Sequence, residues 1–107
     1  MAGCMQPVGI FIPGILVKIE QGVELDREER IRYVSFFRAM NRNQDNVLSQ
    51  YDAGMLGENT PRSLVNFACK FVGSTEQNME VWKITKGGYT DSYVVFVESA
   101  LDDCDGS

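Results

Sequence analysis

The sequence predicts an α+β domain: a small, mainly antiparallel sheet from N-terminal and C-terminal strands, with two to three central helices packed on one face. Three observations predict it. Runs rich in β-branched and aromatic residues stand near both ends of the chain, at 8–19 and 79–99. Two segments with helix-start signals lie between them, one over 27–40 and one from residue 60 on. Gly87-Gly88 separates the two C-terminal runs and supplies the positive φ that a hairpin turn demands.

Taken in order, residues 8–12 and 15–19 read as strand. In the second, Ile15, Val17 and Ile19 alternate with Lys18 and Glu20. Pro13-Gly14 makes either a turn between two strands or a bend in one. The apolar run has no basic residues before it, is broken by Pro13-Gly14, and falls short of the ~20 residues of a membrane helix. It reads as core strand and not as a span, with a signal segment as the lesser alternative.

Asp26 caps the next segment, and Glu29 three residues later completes a capping box. Ile31, Val34, Phe37 and Met40 then recur near the helical period, with Tyr33 and Phe36 widening the stripe. A helix over 27–40 follows, ended by the polar run 41–46. A short helix over 48–56 comes next, weakened by Gly54 and stopped by Gly57. Thr60-Pro61 opens another, as a hydroxyl cap followed by Pro at the first helical position. Leu64, Val65, Phe67, Ala68 and Phe71 form its stripe, and Gly73 ends it. Strands over 79–85 and 92–99 close the fold.

The 107 residues suit one domain, with flexible tails at 1–6 and 102–107. The net charge is −5, and residues 58–107 hold eight acidic against four basic side chains. That balance disfavours nucleic acid, which needs Lys and Arg to displace counterions. Arg27, Arg30, Arg32, Arg38 and Arg42 are interleaved with Glu28 and Glu29, and read as a solvated, ion-paired face. Of Cys4, Cys69 and Cys104, Cys69 falls in an apolar helical stripe and reads as a buried small hydrophobe. Cys4 and Cys104 sit in the tails, where a bridge is open but unsupported. No spacing resembles a metal knuckle, and a reducing, cytoplasmic setting is expected.

Catalysis finds little support. Histidine is absent, and with it the commonest general base and metal ligand. There is no phosphate loop, nucleophile elbow or paired-carboxylate motif. No cofactor and no metal site is expected.

Residues 41–52 resemble a calcium loop of the EF-hand family, with Asn41, Asn43, Asp45, Ser49 and Asp52 at oxygen-bearing positions and Leu48 at the hydrophobic one. Asn46 stands in place of the turn glycine and Asp52 in place of the bidentate Glu. The resemblance implies at most weak calcium binding. From Thr60 to Glu98 the order helix–strand–strand faintly resembles the first half of a double-stranded-RNA-binding domain. The acidic end at Asp102 and Asp103 replaces the Lys-rich helix that such a domain needs, so RNA binding is set aside.

The C-terminal hairpin points to a partner. With an even loop, Trp82 and Ile84 share a face with Tyr93, Val95 and Val97, while Met79 and Val81 share the other with Val94 and Phe96. Three short helices cover one face of a sheet, not two. The face of Met79, Val81, Val94 and Phe96, rimmed by Tyr89 and Asp91, is therefore the expected contact surface, the alternative being that the N-terminal strands or the short helix fold over it as core. A non-enzymatic protein-binding module follows: an inhibitor, immunity-type or regulatory protein that binds another protein or its own copy as a homodimer. The alternatives are a small enzyme or ligand-binding protein whose site forms only in the fold, and a weak calcium binder.

Overall fold

The computed structural model describes residues 8–104, with side chains from residue 12 on. It is helical, and no strand occurs among the described residues. The order is α1 (Val8–Glu20), α2 (Arg27–Asp52), α3 (Thr60–Phe67) continued by a π-helical turn (Ala68–Val72), α4 (Glu76–Thr85) with a 3-10 turn (Lys86–Gly88), and α5 (Asp91–Asp103). The expected α+β sheet is replaced throughout by helix. The chain divides into two compact units, Met1–Phe37 and Arg38–Ser107, with α2 contributing to both.

In the first unit, the two expected strands at 8–12 and 15–19 are one helix, α1, which runs through Pro13. Proline has no N–H, so that turn loses a main-chain hydrogen bond. Ile12, Ile15 and Ile19 are buried while Val17 is exposed. These spacings of three and four are helical, and they coexist in the sequence with the alternation that reads as strand. Gly22, at φ 73°, closes α1. The Gly22 amide donates to the Ile19 carbonyl and the Val23 amide to that of Lys18, a Schellman pair.

The capping box at the start of α2 forms as expected. The Glu29 amide donates to Asp26 Oδ1 at 2.8 Å, and the Asp26 amide donates to Glu29 Oε1 at 3.0 Å. Lys18 Nζ reaches Glu29 Oε2 at 2.6 Å, tying α1 to this cap. Among the arginines of the expected solvated stripe, Arg27, Arg30, Arg38 and Arg42 are exposed, as anticipated, and Arg32 is half-buried.

The polar run 41–46 does not end α2, which continues to Asp52 and absorbs most of the short helix expected over 48–56. Asn41 and Asp45 are buried, four residues apart on one helical face. The Tyr93 hydroxyl donates to Asn41 Oδ1 at 2.6 Å. Thr90 donates to Asp45 twice, from its amide and from its hydroxyl, both at 2.8 Å. Polar residues here line a packed surface, so hydrophobic counting misplaces the helix end. Gly54, at φ 79°, ends α2 with the same Schellman pair, Gly54 to Tyr51 and Met55 to Gln50.

α3 starts one residue earlier than expected, with Asn59 at the cap and Pro61 inside the first turn. Leu64, Ala68 and Val72 are its buried stripe, carried on by the π-helical turn to Gly73.

The largest departure is the expected C-terminal hairpin, which is α4 and α5. Thr75 caps α4, accepting from the Asn78 amide, and Thr90 caps α5, accepting from the Tyr93 amide. On α4 the buried residues are Asn78, Val81, Trp82 and Thr85, and on α5 they are Tyr93, Val97 and Ala100. Two of the four on α4 are polar, and each is satisfied. Asn78 Nδ2 donates to the Phe71 carbonyl, and the Thr85 hydroxyl donates to that of Val81. Valine and isoleucine disfavour helix by only a few tenths of a kcal/mol per residue, less than the caps and this burial return. Gly87-Gly88 forms the 3-10 turn, not a hairpin loop.

Trp82, Tyr89 and Tyr93 form the aromatic centre of the second unit, with ring centroids 5.5–6.1 Å apart. Trp82 Nε1 donates to Glu98, which also receives Lys86 Nζ at 2.9 Å. Cys69, on the π-helical turn, is joined by a disulfide to Cys104, next to the end of α5. This corrects two expectations: Cys69 is not a free buried thiol, and residues 102–104 are structured, not tail. Cys4 lies outside the described residues.

Candidate functional site: a groove along α5

Reading α5 as a helix regroups its side chains. Residues two apart lie about 200° around a helix, so Val94 and Phe96, neighbours on a strand face, diverge. Ser92, Val95, Phe96, Ser99 and Asp103 fall instead on one stripe at spacings of three and four. Beside it runs the buried stripe of Tyr93, Val97 and Ala100.

The outward stripe forms one wall of an open groove of about 710 Å³, completed by Leu48 and Asp52 of α2 and Val65 of α3. Its floor, the more deeply set lining, is apolar: Leu48, Val65, Phe96 and Ala100, with Val95 exposed at its edge. Its rim carries Asp52, Asp91 and Asp103 with Ser92 and Ser99, and no basic side chain. Val95 is 67% exposed, and unlike the comparably exposed Ile84 and Met55 it stands against an apolar groove. Asp45, bonded to Thr90, ties α2 to the start of α5. Because Asn41 meets Tyr93 and Asp45 meets Thr90, α2 runs opposite to α5 here and carries Leu48 and Asp52 toward the Asp91 end, away from Asp103.

Of the six expected contact residues, the groove includes two, Phe96 and Asp91. Val81 and Tyr89 belong to the core: Tyr89 stacks on Trp82, and its hydroxyl donates to Thr85 at 3.1 Å. Burial raises the pKa of the Tyr89 phenol and, more strongly, that of Tyr93. Met79 and Val94 are half-buried and outside the groove. The strand reading missed Val95, Ser99 and Asp103, which a helical count along α5 would have collected. Leu48, Asp52 and Val65 arrive from other helices, and no local pattern marks them.

A smaller hollow of about 400 Å³ in the first unit is lined by Ile12, Ile31, Arg32, Ser35 and Phe36. The calcium loop expected over 41–52 lies within helical α2, so its residues do not curl around an ion. Among the described residues no cluster of His, Cys, Asp or Glu is arranged to hold a metal. No helix among them is long and apolar enough to cross a membrane. Comparison with known proteins finds no family model, no curated protein and no solved structure that matches this chain.

Proposed function

We propose that this chain is a non-enzymatic protein-binding module, of inhibitor, immunity-type or regulatory kind, that receives a segment of a partner protein in the groove along α5. The observation that supports it is the apolar floor with Val95 standing open to water. Covering a valine or phenylalanine fully is worth about 1.5–3 kcal/mol each before association costs. The groove is open and its carboxylates stand on the rim, a form suited to a docked chain more than to an enclosed reaction. The absence of histidine points the same way. The Cys69–Cys104 bridge favours an oxidising compartment over the cytoplasm expected from cysteine spacing.

The test compares wild type with Val95→Asp and Ile84→Asp. Ile84 is 71% exposed on α4 but lies outside the groove, so it controls for surface hydrophobicity. Interaction partners retained by Ile84→Asp and lost by Val95→Asp support the groove. Equal retention by both variants sinks it. Light scattering on the same proteins separates self-association, lost only with Val95→Asp, from binding to another protein.

A further inference from the structure

Resting on that reading, we infer that the groove's occupant is an amphipathic helix of about three turns with basic residues at both ends. Asp91 and Asp103 are twelve residues apart on α5, about 18 Å at the rise of an α-helix. Asp52, the last residue of α2, adds a second carboxylate at the Asp91 end. The apolar floor lies between these two acidic ends. A docked helix of matching length places apolar side chains at i, i+4 and i+7 on the floor and a Lys or Arg at each end. Facing carboxylates select against a helix with acidic ends, because like charges meeting across an interface are penalised. Asp52 and Asp103 also lie at helix C-termini, where the macrodipole favours a cation.

Fluorescence anisotropy with labelled 14-residue peptides tests this. One peptide carries leucine at i, i+4 and i+7 with Lys at both ends; the second keeps the leucines with Glu at the ends; the third is the Lys peptide with a central proline. The Lys peptide should bind wild type on the order of tenfold more tightly than the Glu peptide, a gap that narrows as salt is raised. Asp91→Asn and Asp103→Asn should each weaken it about two- to fivefold, as expected for exposed ion pairs. Val95→Asp should abolish it, with circular dichroism and Trp82 fluorescence confirming a folded variant. Equal binding of Lys and Glu peptides, still lost with Val95→Asp, overturns the charge assignment and leaves the groove reading standing. Equal binding of the proline peptide overturns the helix. If no peptide binds wild type, the groove reading itself falls.

Discussion

In the unit ending at Phe37, the ties are short in sequence. Asp26 and Glu29 cap one another across three residues, Gly22 closes α1 on Ile19, and Lys18 reaches Glu29 eleven positions on. In the unit from Arg38, local caps at Gly54, Thr75 and Thr90 are supplemented by long ties. Thr90 meets Asp45 across 45 residues, Tyr93 meets Asn41 across 52, and Cys69 joins Cys104 across 35. The capping box and the glycine cap are local patterns that any helix uses, and the Lys18–Glu29 pair joins two helices that are adjacent in sequence. Each of the long ties exists only once distant helices have packed. The two units should therefore respond differently to equally small changes, and the chain's one tryptophan, Trp82, reports on the second.

The largest effect should come from the aromatic centre. Trp82→Ala removes a fully buried ring and its hydrogen bond to Glu98, and should cost about 3–5 kcal/mol, read by chemical denaturation followed through far-UV circular dichroism. A loss under about 1 kcal/mol would mean the second unit does not depend on this centre. Opening the Cys69–Cys104 bridge with a reductant, or by Cys104→Ser, should cost about 2–4 kcal/mol by releasing a 35-residue constraint on the unfolded chain. An unchanged melting temperature on reduction would show that the long tie is dispensable.

Asp45→Ala should cost about 1–3 kcal/mol, since it strips two hydrogen bonds from the start of α5. Asp26→Ala, the local counterpart, should cost about 1 kcal/mol. By hydrogen exchange its effect should fall at the start of α2, with Trp82 fluorescence unmoved. If both variants destabilise the same amides equally, the contrast between local and distant ties fails.

Titration sharpens the comparison with the smallest effects. Glu98 is held below the ordinary carboxylate range, first by the Lys86 ammonium and then by the Trp82 N–H. Its contribution is present above the unfolded value near ~4.3 and is lost as pH falls through the lower folded value. Screening at this partly exposed site limits it to at most about 1 kcal/mol. Glu98→Gln should therefore flatten the acid limb of the melting curve. Tyr93 has the opposite sign. Burial raises its phenol, so its contribution is intact below ~10 and is lost as pH rises toward the folded value. Tyr93→Phe should delay alkaline unfolding relative to wild type, although it gives up the hydrogen bond to Asn41 at neutral pH.

What the sequence determined by itself are features whose cause lies within one turn of chain. The capping box at Asp26 and Glu29, the start of α2 at Arg27, Pro61 in the first turn of α3 and the end of that helical run at Gly73 are all legible there. Gly54 was visible too, as a weakness in a helix and not as its end. The acidic rim of the groove is half legible: Asp91 and the acidic C-terminal half stand in the sequence, and their geometry does not.

Tertiary structure alone decided the rest. Residues 15–19 and 92–99 satisfy an alternating and a helical pattern at once, and local propensity separates the two by only fractions of a kcal/mol. What tips α5 to helix is the burial of Tyr93, Val97 and Ala100, together with Thr90, whose amide and hydroxyl bond Asp45 on α2. Burying Asn41 and Asp45 runs against hydrophobic patterning until their partners on another helix are known. The groove joins Val65, Leu48 and Val95 from three helices, and such a surface exists only after the packing that assembles it.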